Sequence, residues 1–298
     1  MSICKLLIRG LDLAFRKRRL ALRLWTVNFF FSLLVIAPLA FIIHGQLSHS
    51  LSADNVLAHL DVDWLTDLSS RHLNAAPAYL GLVLLAVILY LLLAVFLNGG
   101  VIGCLNRAGA RTTLADFFHD CGLHFWRFLR LFLLSIPAYL LLLGIFFPLL
   151  RSLLEAVKRR AATEWPVLVA GNIRILSLVL LLGLVSMFFD YIKIGLATGN
   201  RKRVLRETWL TLKFLSRRFF KAWSLYLLAG SAFVLLTLLY LEVIRILPQG
   251  KPLPVLFVFL WQQLYILGRQ ASRVLFYATE LEFTKQYQTV ALEKNREE

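Results

Sequence analysis

The chain has 298 residues, of which 59% are hydrophobic and 17% charged, whereas soluble domains carry about 45 to 50% and about 25%. That apolar excess needs lipid to face and excludes an ordinary soluble globule. Lys plus Arg number 33 against 17 Asp plus Glu, a net charge of +16. The basic residues cluster at the ends of apolar runs, where anionic headgroups rather than nucleic acid account for them.

Residues 1–23 open the chain as a basic amphipathic helix. Ile3, Leu6, Leu7, Leu11 and Phe15 make one stripe and Lys5, Arg9, Asp12 and Arg16 another, the pattern of a helix lying in the membrane interface. No apolar signal precedes Cys4 of the kind a lipid-anchored cysteine would follow. The run Leu24–Ile43 then spans 20 residues, enough at about 1.5 Å each to cross a core of about 30 Å. It is too long for a secretory signal and has no clean small-residue cleavage site behind it, so an uncleaved first span is expected.

The connection after it holds four of the six histidines, His44, His49, His59 and His72, with Asp54, Asp61, Asp63 and Asp67. None has the HxxxH spacing that sets two imidazoles on adjacent helical turns, and "DVDWLTDL" reads as a capped surface helix. No metal site is therefore assigned. The second span, Ala78–Leu97, ends in "FLNGGVIG", whose glycines suit close helix packing or a hinge. A second amphipathic segment follows. Thr113 and Asp116 make a capping box, and Leu114, Phe117, Phe118, Cys121 and Phe125 an apolar side.

The third span is Leu129–Leu150, with Pro137 and Pro148 inside it as candidate kinks, as Pro38 is in the first. "RSLLEAVKRRAATEW" is expected outside although Arg151, Lys158, Arg159 and Arg160 dissent from that sign. The fourth span, Val167–Phe189, leads to a third amphipathic segment, "RKRVLRETWLTLKFLSRRFF". There Leu205, Trp209, Leu212 and Phe219 lie on one side and Arg206, Lys213 and Arg217 on another. The fifth span is Ala222–Leu241. The sixth, Leu253–Ala278, is interrupted by Gln262, Gln263, Arg269, Gln270 and Arg273.

Gln262, Arg269, Arg273 and Glu280 are separated by 7, 4 and 7 residues, which lines them along one helical face. Charges at membrane depth turn toward protein or a wet cavity, and Asp190, at the inner end of the fourth span, is by depth the expected ionic partner of Arg269 and Arg273. The alternative is that Arg269 and Arg273 snorkel to inner-leaflet phosphates. These five residues form the candidate polar membrane face. Cys4, Cys104 and Cys121 make no CxxC pair, and no HExxH, GxxxxGK, GxGxxG or GxSxG is present, so no catalytic or cofactor-binding residue is assigned. Ile102-Gly103 matches Ile194-Gly195 at an offset of 92, and the Phe125 and Phe219 runs match at 94, which points to a repeated helix hairpin.

"FLNGG", "TLADFF", "FWRFLRLFLLS", "FDYIKIGL" and "RRFFKAWSLYLL" together resemble a loose group of uncharacterised bacterial six-span inner-membrane proteins. Their layout is similar to the membrane domain that precedes some glycerophosphodiester phosphodiesterases. No phosphodiesterase domain is present here, so the resemblance implies neither that activity nor any catalytic residue.

The sequence therefore predicts one all-α integral membrane domain over 1–298, a polytopic bundle of six transmembrane helices and three basic amphipathic interfacial helices, closing in a polar cytoplasmic tail over 281–298. Most Lys and Arg fall on one face, which the positive-inside rule assigns to the cytoplasm together with both termini. The expected role is non-catalytic, engaging anionic lipid headgroups or a protein partner in a bacterial inner membrane. A transporter or lipid carrier working between repeated hairpins is the alternative, and an intramembrane enzyme a third.

Overall fold

A computed structural model describes residues 3–47, 76–107, 109, 112–159, 164–199, 204–246 and 252–297. Most of the His- and Asp-bearing first connection lies outside the described residues, and His44 falls within a helix. Among the described residues every regular element is helical: α1 (Ile3–Arg16), α2 (Arg19–Leu47), α3 (Ala76–Asn106), α4 (Leu114–Leu141), α5 (Phe147–Arg159), α6 (Glu164–Thr198), α7 (Val204–Ser216), α8 (Phe219–Ile246) and α9 (Pro252–Glu297).

Local chemistry sets several of these boundaries. The Thr113 Oγ1 accepts from the Asp116 amide at 3.1 Å, and the Thr113 amide donates to Asp116 Oδ2 at 2.9 Å, so the expected box starts α4. A π-helical turn, Leu142–Phe146, joins α4 to α5 just ahead of Pro148. Proline cannot donate to the carbonyl four residues back, and a widened turn relieves the clash its ring would make there. The dissenting basic connection begins as a helix, with Arg151 Nε held by Glu155 at 2.7 Å across one turn. A basic two-residue turn separates an amphipathic helix from the helix after it in two places, Lys17-Arg18 between α1 and α2 and Arg217-Arg218 between α7 and α8.

Arg19–Pro38, Gly81–Asn106, Leu114–Glu155, Val167–Thr198 and Phe219–Ile246 are long and apolar enough to cross a bilayer. Large apolar side chains along them stay exposed, Leu34, Leu140, Ile175 and Leu235 among them, as lipid-facing positions do. The chain is a multi-pass helical membrane protein. The helix expected to make a sixth crossing, α9, runs unbroken for 46 residues but is not in this set. Its glutamines and arginines dilute the apolar half.

The chain gathers into two compact units. One comprises Met1–Lys17, Val95–Ala232 and Val274–Glu298, the other Arg18–Ala94 and Phe233–Arg273. In the first, Leu6 of α1, Met187 and Tyr191 of α6, Leu215 of α7, Ala222 and Leu225 of α8 and Phe283 of α9 form one buried core. Phe283 and Leu281 are fully buried. The segment that composition marks as a polar tail thus starts as packed helix, because Phe283 and, one turn on, Tyr287 pack into that core.

Within this unit each amphipathic helix packs closely on another helix where a side chain is small or missing. Gly100 and Gly103 of α3 lie against Phe117, Cys121 and Asp120 of α4, Gly195 of α6 against Glu207 of α7, and Gly10 of α1 against Thr279 of α9. In the second unit, Gly268 of α9 receives Leu236 of α8, and Tyr240 stacks on Tyr265 with ring centroids 4.2 Å apart.

Candidate functional site

The three amphipathic segments bury one face and expose another. On α7, Val204, Glu207, Thr211 and Leu215 recur at helical spacing toward the protein, while Leu205 and Trp209 are 72% and 68% exposed and Leu212 joins them. Leu6 and Gly10 are the buried positions of α1; Ile8, Leu11 and Phe15 form its open ridge. At the start of α4 the apolar side read from the sequence divides, with Phe117 and Cys121 inside and Leu114 and Phe118 outside. Exposed cations flank the ridges, Lys5, Arg9 and Arg16 on α1 and Arg206, Lys213 and Arg217 on and just after α7. An apolar ridge between cations suits the boundary between acyl chains and headgroups.

Where α1 meets the end of α3, Lys17 is only 4% exposed. Its ammonium donates to the carbonyls of Cys104 at 2.6 Å and Arg107 at 3.2 Å, capping a helix end whose carbonyls have no intrahelical donor. Burial lowers the Lys17 pKa; Lys285 and Arg107 lower it further, while Cys104 and Asp120 oppose them. Arg107 in turn grips Asp116 at 2.7 Å and Asp120 at 2.6 Å. Arg16, Lys17, Arg107 and Lys285 share a hollow of about 330 Å³.

A second polar cluster sits deeper in the same unit. Lys193 Nζ reaches Asp190 Oδ1 at 2.7 Å, one turn back on α6, and the Tyr277 hydroxyl of α9 at 3.5 Å. That hydroxyl donates to Asn98 Oδ1 of α3 at 2.9 Å, so three helices are tied through four side chains. Glu280 lies one turn beyond Tyr277, 1% exposed, and neither carboxylate oxygen has a hydrogen-bond partner among the described residues. Asn98, Lys193, Ser135, Tyr139 and Ser186 contribute to the wall of a cavity of about 380 Å³. Such a cluster can hold a small polar group or pass a proton between carboxylates, and nothing in it resembles a nucleophile with its base. No group of three or more metal-ligating side chains occurs among the described residues.

Of the five residues of the expected polar face, Asp190 is bridged by Lys193 and Glu280 is buried beside the Tyr277 cluster. Gln262 and Arg269 are exposed and Arg273 half-buried in the second unit. There Trp25 Nε1 donates to Gln263 Oε1 at 3.2 Å, and Arg269 and Gln270 line a separate cavity. Sequence reasoning missed Lys193 and Tyr277 as members of the Tyr277 cluster and read Asn98 only as part of the glycine-rich end of the second span. It also missed the capping role of Lys17, for which spacing offers no signal because its acceptors are 87 and 90 residues away.

Comparison with protein families, with curated proteins and with solved structures finds no match to this chain.

Proposed function

We propose that this multi-pass protein is a non-catalytic component of a bacterial inner membrane, held on anionic lipid by α1, the start of α4 and α7, in an accessory or assembly role toward lipid or a membrane partner. The observation that carries the reading is the set of outward apolar ridges, Ile8 to Phe15, Leu114 to Phe118 and Leu205 to Leu212, on helices whose opposite faces are buried. A helix of a soluble assembly would leave its polar side open instead. The sequence resemblance to six-span inner-membrane proteins agrees with this role and adds no activity.

Six crossings with both termini in the cytoplasm complete the reading. Its support is that Leu6 of α1, the second half of α6, the start of α8 and Phe283 of α9 pack into one core, while the end of α3 lies against the start of α4 and Gly10 of α1 against Thr279 of α9. Helices that end there and helices that begin there share a level, as an even number of crossings requires.

Nitroxides placed at Phe15, Phe118 and Trp209 of the reconstituted protein test the interfacial reading. Collisions with oxygen should exceed those with a water-soluble nickel chelate at all three; the reverse order at Trp209 and Phe15 refutes it. A carrier role is the second reading, favoured by the cavity beside Lys193 and the unpartnered Glu280. It requires that Glu280→Gln abolish transport while leaving the fold intact.

A further inference from the structure

The second unit contains a cavity of about 530 Å³, within the size range of small-molecule sites, and its walls come from α2, α3 and α9. The bond from Trp25 to Gln263 sets α2 against α9, and the contact between Phe31 and Tyr90 rings, 5.9 Å apart, sets α2 against α3. These two registers gather Asn28, Gln263, Arg269 and Gln270 toward the Trp25 end, while Val35, Ile36 and Val83 leave the other end apolar. From Trp25 to Ile36 the groove follows α2 for about 16 Å.

One group at the polar end has unmet hydrogen-bonding capacity. The Arg269 guanidinium is exposed and has no hydrogen-bond or ion-pair partner among the described residues. Gln270 also lines the cavity, but its Oε1 is enclosed by protein and does not open onto it. A guanidinium seeks a phosphate and can grip it through two parallel N–H donors. The apolar remainder matches a hydrocarbon chain and offers a free headgroup or inorganic phosphate nothing.

We propose that this cavity is a phospholipid site that prefers an anionic headgroup. Its phosphate lies on Arg269, and one acyl chain runs along Phe29, Val35 and Val87. The site goes beyond the interfacial anchoring proposed above, because it uses a different unit and none of the ridge residues. It retains one lipid molecule, where the amphipathic helices attract a layer.

Purified full-length protein, stripped of lipid and titrated with phosphatidylglycerol or phosphatidylcholine under native mass spectrometry, tests it. The expected result is one phosphatidylglycerol per chain, bound about ten-fold or more tightly than phosphatidylcholine, whose phosphate is the same but whose choline cation is repelled by the guanidinium. Arg269→Gln, a change at an exposed position, should erase that preference. Ala86→Phe should lower retention of both lipids by filling the groove. The triple change Arg206→Gln, Lys213→Gln and Arg217→Gln should leave the single-lipid adduct unchanged, which separates this site from the lipid anchoring of α7. Equal binding of the two lipids, a preference that survives Arg269→Gln, retention that survives Ala86→Phe, or a lipid-free dimer would each overturn the proposal.

Discussion

The crossing of α3 over α4 makes a quantitative demand on Gly103. A Cβ built there lies 2.7 Å from Asp120 Cβ and 2.8 Å from its Cγ and Oδ2, closer than real carbon atoms approach. Asp120 cannot retreat cheaply, because Cβ moves only with the backbone and its carboxylate is held by Arg107 at 2.6 Å. Overpacking of this kind costs about 1 to 3 kcal/mol, offset by the roughly 0.8 to 1 kcal/mol that Ala gains over Gly in a helix. Gly103→Ala should therefore lose about 1 kcal/mol. At Gly195 the nearest atom is the terminal Glu207 Oε1 at 2.6 Å, which has torsions with which to yield, so the loss should be smaller. Gly122 meets nothing within 4 Å, and Gly122→Ala should be neutral or stabilising by up to about 1 kcal/mol. Denaturant-induced unfolding in mixed micelles, followed by tryptophan fluorescence, ranks the three. If Gly103→Ala proves no worse than Gly122→Ala, the close approach of α3 and α4 is wrong.

Lys17→Met strands the carbonyls of Cys104 and Arg107 and should cost about 1 to 3 kcal/mol in the same assay, while a loss near zero would deny the cap. Because the folded pKa of Lys17 lies below its unfolded value of 10.5, the contribution of this residue is greatest above 10.5 and is lost as pH falls through the folded value. Stability of the native chain relative to Lys17→Met should then rise as pH approaches 10.5, and a falling difference contradicts the buried placement. Thr113→Ala removes the N-cap of α4 at a cost of roughly 1 kcal/mol, read in that unfolding experiment; an unchanged midpoint would count against the box. For the deeper cluster, a double-mutant cycle on Asp190→Asn and Lys193→Met should show a coupling of at least about 0.5 kcal/mol, and strict additivity would mean that their contact carries no energy.

Much of the architecture was legible because lipid enforces simple patterns. Long uncharged runs have to be helices, and the spacing of Leu205, Trp209 and Leu212 marks α7 directly. The sequence could not tell which side of an amphipathic helix meets protein. Phe117 and Phe118 are equally apolar, yet one is buried and its neighbour exposed, because packing on α3 and contact with lipid both reward apolar surface. The glycines of "FLNGGVIG" were legible as close-packing candidates, and Gly103 and Gly195 each receive an acid from the amphipathic helix that follows. Their partners, Asp120 and Glu207, carry no local sign of that role. The spacing that groups Gln262, Arg269, Arg273 and Glu280 is correct for one long helix, but periodicity does not report what lies opposite. Glu280 is buried, Arg269 is open, and the residues of the cluster around Tyr277 come from α3 and α6, beyond any local pattern.

The account stands or falls on whether α9 crosses the membrane, since that decides whether its C-terminal half shares a face with the basic helices. Single cysteines at Ser50, Asn200, Gln249 and Asn295, introduced after replacing Cys4, Cys104 and Cys121, can be probed with an impermeant maleimide in sealed cells. Six crossings with cytoplasmic termini predict that Ser50 and Gln249 positions react while Asn200 and Asn295 positions are protected until the cells are opened. Reaction at the Asn295 position with protection at Asn200 means five crossings, and would contradict the placement of the three amphipathic helices and both termini on one membrane face.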